Sequence, residues 1–395
     1  MNDSNFNEPP ETVAAAVPRN GFWRIALFVG LFAVVVAVAF SRQKEALEVW
    51  HTLRAGDPWL IAGAMAVQVA YWVTFAAMYH ASYRVVGLQS RVLDLLPVWL
   101  GSLFVSIAAP AAAPAIFMDD AVRRGQSPAK VAAGILVLRL ADFGTLTVFI
   151  AFGIALMAAR MAVHPWQSAT LLGHCIALLI LIGVTAVWSG PLFLARWKPA
   201  ALRGVLNAVR RAVNGTFRLL RRPEPLPVGG DEDWATHHAK HFSHSADLAL
   251  AQPARLLAPA AVATLAHLLD WASLHLMLRA FGIAADPGTS LIAFSVCLLY
   301  WIVSPTPDGV GFVEAAMALS LVTIGAAAQP QAIAAAIAFR GITLYLPVLI
   351  GGICLPRLAA GKKGVGCWDH RFRSSVSPTP VGGSATERPP DAPKT

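Results

Sequence analysis

Charge is what this sequence has least of. Only 13% of its 395 residues are Asp, Glu, Lys or Arg, about half of the roughly 25% that a soluble domain carries. Hydrophobic residues make up 56%, too many for a water-facing fold with so little charge. Cysteine is scarce as well: Cys175, Cys297 and Cys354 lie in apolar stretches and Cys367 in a polar tail. None has metal-ligand spacing or an evident disulfide partner, so they read as small packing residues. Walker, GxGxxG, GxSxG and HExxH signatures are all missing, and with them any residue set for nucleotide, serine-hydrolase or zinc-protease chemistry. No cofactor, no metal and no catalytic residue is expected. The net charge of +9 is not a nucleic-acid footprint, because the basic residues sit beside apolar stretches, where they orient helices and meet anionic head groups.

What the chain does have is long apolar runs. A helix needs about 20 mostly apolar residues to cross a bilayer, and full spans are predicted at Phe22–Phe40, Trp59–Tyr83, Val131–Met157, Ala169–Leu194, Leu256–Phe281 and Ala332–Leu355. The first is too long for a signal h-region and lacks a small-residue cleavage site, so it reads as a span. Two further apolar stretches are broken: Leu93–Met118 by Pro110 and Pro114, and Leu291–Ile324 by the run Ser304 to Gly311. Because lipid cannot satisfy exposed backbone groups and no strand alternation is present, the fold class is all-α polytopic membrane protein.

The positive-inside rule fixes how the broken stretches run. If Leu93–Met118 crossed fully, Arg196, Lys198, Arg203, Arg210, Arg211, Arg218, Arg221 and Arg222 would all face outside, with no acid among them; that is strongly disfavoured. If each broken stretch enters and leaves on one side, every basic cluster is cytoplasmic. The expectation is therefore six full spans, two Pro/Gly-broken re-entrant hairpins and both termini inside. Residues 1–20 form a disordered N-terminus, 21–356 the transmembrane domain and 357–395 a disordered tail. Residues 196–254 form a basic cytoplasmic loop whose first part, to Arg222, has the spacing of an amphipathic surface helix.

Two segments are alike: Ser127 to Arg139 and Gln329 to Arg340 each place a Pro, an Ala-rich run and then an arginine ten or eleven residues on. Each follows a broken hairpin with acids near its end, Asp119 and Asp120 in one, Glu314 in the other. In opposite orientations these make an inverted repeat, the architecture of transporters whose sites lie at the repeat interface. The candidate site residues follow from the cost of charge at mid-membrane, at least about 2.5–3.5 kcal/mol each. Arg139 and Asp142 form an i, i+3 pair. Arg340 has no acid within a turn, and Glu314 or an anionic substrate is its partner. In "SPTPDGVGFVEAA", Pro305 and Pro307 withhold backbone donors while Gly309 and Gly311 permit sharp turns, which carries Asp308 and Glu314 into the membrane and starts a helix near Gly311 whose free N–H groups favour anions. Asp270, His267 and His275 share one face of their span, as cavity lining or as interhelix hydrogen-bond partners. His237, His238, His241 and His244 lie in a polar, Gly/Pro-flanked loop and read as solvated imidazoles rather than metal ligands.

The order of these features resembles the lysylphosphatidylglycerol synthase transmembrane region, also called the flippase-like or UPF0104 family of bacterial and archaeal membrane proteins. The residues that carry the resemblance are Arg139 and Asp142, the P-x-G-x-G-x-x-E element (Pro307, Gly309, Gly311, Glu314), and Arg340, Tyr345, Leu346, Pro347 and Gly351. The chain departs from the family pattern at Asp308, where a glycine is usual, and in the first hairpin, which has Ser106 and small residues. The resemblance implies a non-enzymatic translocator in the bacterial cytoplasmic membrane, moving an amphipathic anionic, aminoacylated or isoprenoid lipid between leaflets, passively or with the proton gradient. Its partners would be membrane lipids, and a lipid-modifying enzyme in trans, with no nucleic acid. A soluble aminoacyl-transfer domain is not expected. The alternative is a membrane scaffold or regulator of a lipid- or glycan-synthesising complex, or an accessory factor in hopanoid or lipid biosynthesis.

The orientation is directly testable. A membrane-impermeant thiol reagent applied from outside should miss Arg203→Cys and label a cysteine placed at His164, in a background without native cysteines. External labelling at position 203 would overturn the re-entrant topology.

Overall fold

The computed structural model describes residues 51–108, 113–161, 168–198 and 253–360, with scattered residues between 200 and 247. Its helices are α1 (Pro58–Val85), α2 (Val92–Ala108), α3 (Ala113–Arg123), α4 (Pro128–Met161), α5 (Ser168–Trp197), α6 (Leu257–Ala280), α7 (Pro287–Val303), α8 (Phe312–Thr323), α9 (Gln329–Arg340) and α10 (Leu346–Ala360). Five helical runs among the described residues are long and apolar enough to span a bilayer, the last comprising α9, a π turn and α10. They coincide with the predicted spans from Trp59 onward. The predicted first span, Phe22–Phe40, lies outside the described residues, as do Pro110, His237, His238, His241, His244 and residues 1–20. The chain is an all-helical, multi-pass membrane protein among its described residues.

Local chemistry explains the starts. Asp57 caps α1 by accepting from the N–H groups of Trp59 and Leu60 at 2.8 and 3.3 Å, with Pro58 at the first position. Asp286 caps α7 in the same way, ahead of Pro287, through the N–H of Thr289 at 2.5 Å. Proline there loses nothing, since its missing N–H would be an orphan. Asp286 lies in an exposed connection; the Thr289 backbone N–H and hydroxyl, then the Arg160 guanidinium at 2.8 Å, lower its pKa to about 2.

The broken stretches turn back. α3 and α8, of 11 and 12 residues, reach only about 16–18 Å at about 1.5 Å per residue, far short of a bilayer core of about 30 Å. At the far end of the first hairpin, Arg124 bonds Asp94, from the first turn of α2, at 3.2 Å. The two ends of that hairpin therefore lie at one level. In the second, Gln331 at the start of α9 approaches Gly282, just before α7.

Packing between the halves is reciprocal. α1 lies against α6; α2, the first arm of one hairpin, packs on α10, and α7, the first arm of the other, packs on α4 and α5. Both crossings use glycine where lipid offers no hydrophobic drive and close backbone approach is what stabilises. A side chain at Gly351 would collide with the Leu100 carbonyl, and one at Gly153 with Ser295. An aromatic clasp holds the first hairpin to α1: Phe75 stacks on Trp99 at 4.9 Å and Tyr79 on Phe117 at 4.3 Å. Among the described residues α5 is peripheral, with Leu172, Leu179 and Val187 more than 60% exposed.

α10 runs through Pro356 to Ala360, because a proline near a helix C-terminus forfeits one backbone bond without stopping the last turn. The expected amphipathic helix after Arg196 is described only in part: Leu202 is buried, and Arg196 bonds Asp247 at 2.8 Å.

Gly351→Val should destabilise the protein by about 1–3 kcal/mol, the range for overpacking a tight contact, because the obstructing atoms are backbone. Gly183→Val, on lipid-facing α5 with open space around it, should cost less than about 1 kcal/mol. Thermal unfolding in detergent compares them; equal losses would contradict the packing of α10 on α2.

Candidate functional site

Two charged clusters occupy corresponding depths in the two halves. Pro128 opens α4 eleven residues before Arg139, and Pro330 stands ten residues before Arg340, so both arginines lie about 15–16 Å along their helices at about 1.5 Å per residue. That is close to the middle of a hydrocarbon core about 30 Å thick.

In the second half the break does the positioning. The Ser304 hydroxyl accepts from the N–H of Thr306 at 3.1 Å, and the Thr306 hydroxyl donates to the Val310 carbonyl at 3.0 Å. Asp308 (φ 49°) is the one non-glycine residue with positive φ among the described residues, followed by Gly309 (φ 75°) and Gly311 (φ 78°). A left-handed non-glycine residue costs roughly 1–2 kcal/mol. Here the backbone earns a use: the Asp308 carbonyl accepts from Arg340 Nη2 at 2.5 Å. Gly311 caps α8, which places Glu314 in its first turn, where the helix dipole favours an acid. Arg340 Nε donates to Glu314 Oε1 at 3.2 Å, and the Tyr345 hydroxyl donates to the same oxygen at 2.8 Å. Glu314 and Arg340 are only 9% and 7% exposed.

The π turn Gly341–Tyr345 explains how Tyr345 reaches Glu314. Residues five apart diverge on an α-helix, but a turn closed i→i+5 returns them to one face.

The first-half cluster is more open. Arg139 Nη1 donates to Asp142 Oδ2 at 3.4 Å, and the guanidinium lies 5.5 Å from the centre of the Phe143 ring. His267 of α6 holds the other Asp142 oxygen at 3.4 Å and its carbonyl at 3.3 Å. Asp142 is thus engaged on both oxygens and its side chain is 7% exposed, whereas Arg139 is 27% exposed.

A hydrogen bond joins the hairpins: the Ser106 hydroxyl of α2 donates to Asp308 Oδ2 at 2.5 Å. The bond spans 202 residues of sequence. A cleft of about 310 Å³, lined by Met157, Ile292, Val296, Phe312, Ala316 and Leu319 among others, lies on the face of α8 opposite Glu314.

The chain matches the lysylphosphatidylglycerol synthase TM region family over residues 22–351. It belongs to this family. A search among curated proteins finds no match. Membership makes this a multi-pass membrane protein of a family tied to lipid metabolism or transport. Within the family's stretch, the predicted partner of Arg340 is found: Glu314. Arg139 pairs with Asp142 as expected, and Gly309 and Gly311 form the break. The two clusters do not touch each other. Asp119 and Asp120 stand outside both, in ion pairs with Arg123 and Arg124 at the hairpin end. His275 does not join His267; its Nδ1 meets the Ser290 hydroxyl at 3.1 Å. Tyr345 was legible only as part of a motif, and the His267–Asp142 contact only as one of several options for a polar face. Among the described residues no group of His, Cys, Asp and Glu is arranged to hold a metal.

Removing Asp142 alone should destabilise the protein more than removing both partners. Asp142→Ala leaves Arg139 and His267 without their acceptor, a loss somewhat below the about 3–5 kcal/mol of a fully buried pair, since Arg139 is partly exposed. Arg139→Ala with Asp142→Ala should recover part of it. Strictly additive losses in unfolding temperature would contradict the pairing.

Proposed function

We propose that this protein moves an amphipathic lipid with an anionic, aminoacylated or isoprenoid-linked head group between the leaflets of a bacterial cytoplasmic membrane, without covalent chemistry. The observation that carries the reading is the half-open state of Arg139. A guanidinium at mid-membrane has five N–H donors, and among the described residues Arg139 uses one, at 3.4 Å. A charge that expensive in lipid faces a partner or a wet cavity, and its accessible edge suits a phosphate or carboxylate through paired hydrogen bonds. Arg340 plays a different part: held by Glu314 and the Asp308 carbonyl, it fixes the break that opens α8. The apolar cleft beside α8 supplies room for an acyl or isoprenoid chain. Broken helices at corresponding positions of two similar halves support this reading, because transporters with inverted repeats carry their sites at such breaks. A lipid-modifying enzyme acting in trans would supply or consume the head group.

Leaflet exchange of a fluorescent anionic lipid in reconstituted vesicles, per folded protein, tests this. Arg139→Gln should insert and stay monodisperse yet lose at least about tenfold in exchange, the equivalent of about 1.4 kcal/mol. Glu314→Gln and Arg340→Gln should lose exchange together with part of the fold's stability. Wild-type exchange by folded Arg139→Gln would sink the proposal, and intact exchange in all variants would favour the scaffold.

A further inference from the structure

Between the two clusters stands an acid that neither uses. Asp270 lies on α6, one turn after His267, so the two side chains share a face at i, i+3. Protein surrounds it on all sides, but part of its side chain remains accessible, while Oδ1 is covered and has no hydrogen-bond partner. Gln68 of α1 stands beside it as a neutral hydrogen-bonding neighbour and supplies no counter-charge.

The neighbours of Asp270 are named by the helices packed on α6: Gln68 and Tyr71 from α1, Cys297 from α7, Arg340 from α9, and Asp142 of α4 through His267. Arg340 is committed to Glu314, and Arg139 to Asp142. No lysine or arginine among the described residues forms an ion pair with Asp270. Its ionised form therefore has one mobile counter-charge, the imidazolium of His267, and the alternative is the neutral carboxylic acid. These states differ by one proton's position: the imidazolium N–H bond breaks, a carboxyl O–H forms, and the ion pair becomes a neutral pair with no electron transfer.

We propose that Asp270, exchanging with His267, is a proton-binding site that couples movement of the lipid to the proton gradient. This rests on the translocator reading. Asp142, holding His267 by its other oxygen, ties the protonation of this site to Arg139, whose free donors meet the head group. Protonation of His267 draws Asp142 toward the imidazolium and frees Arg139 for an anion; transfer of that proton to Asp270 returns Asp142 to Arg139 and releases it.

Two measurements on full-length protein test the proposal. In vesicles of phosphatidylethanolamine and phosphatidylglycerol, with the membrane potential clamped by valinomycin, an imposed pH gradient should raise wild-type leaflet exchange several-fold, and a trapped pH dye should report proton movement. Asp270→Asn should lose both responses, and His267→Gln should lose them too. Separately, infrared difference spectra across pH should show a buried carboxyl C=O stretch that disappears in Asp270→Asn, a readout that needs no transport. A full gradient response in folded Asp270→Asn, or no carboxyl band belonging to Asp270, overturns the proton site. Wild-type exchange that ignores the gradient does so too, while leaving the translocator reading intact. Absence of any exchange with the carboxyl band present overturns the translocator reading and the coupling with it, and leaves only a proton-binding group.

Discussion

The ion pair between Arg340 and Glu314 sets the terms for the second half of this protein. Neither charge is tolerable alone in hydrocarbon, where each costs at least about 2.5–3.5 kcal/mol, and no acid near Arg340 on its own helix can serve it. The partner has to come from α8, and α8 can present Glu314 at that depth only if the chain breaks just before it. Prolines, glycines and the left-handed Asp308 make that break. The break in turn exposes backbone polar groups, and Arg340 takes up one of them, the Asp308 carbonyl. The π turn that follows Arg340 belongs to the same requirement, since it brings Tyr345 onto the carboxylate. One costly charge thus accounts for a loop, a helix start and a helical defect.

The halves are built alike but finished differently. Both place an arginine at mid-depth behind a proline and an Ala-rich run, and both send a hairpin arm across to the other half over a glycine. In the second half the arginine is held by two oxygen atoms, Glu314 Oε1 and the Asp308 carbonyl, and the Tyr345 hydroxyl donates to the same Glu314 oxygen. In the first half a long contact to Asp142 leaves the guanidinium partly bare. The two arginines thus differ in enclosure: Arg340 is held on two sides, and Arg139 keeps an open edge.

Much of this was legible in the sequence, for physical reasons. Spans and breaks are visible because lipid permits few backbone arrangements, and buried charges are visible because each needs a partner. That scarcity made Glu314 a candidate partner for Arg340 beside an anionic substrate, and the contact at 3.2 Å decides between them in this structure. What stayed hidden depends on geometry between distant segments. The π turn has no compositional mark, so Tyr345 showed as a motif letter and not as a donor to Glu314. His267 was a polar residue on a helix face until α4 and α6 were placed side by side. The distinction between a bare Arg139 and an enclosed Arg340 depends on neighbours no spacing reveals, and the role of Gly351 on the carbonyl it meets in α2.

The hydrogen bond between Ser106 and Asp308 joins the tips of the two hairpins and has a bearing on how such a chain changes over time. A carboxylate held at the half-buried break without its hydroxyl partner loses a hydrogen bond, and a hydroxyl without the carboxylate adds nothing between the hairpins. Neither residue is useful first. Descent should therefore have passed through an intermediate with one of them alone, most easily the serine, which can return its proton to the Leu103 carbonyl at 2.8 Å in its own helix. The serine is the permissive step and the aspartate the committed one, so relatives with serine and glycine at these positions are the ancestors to look for, and relatives with aspartate and no hydroxyl should be rare.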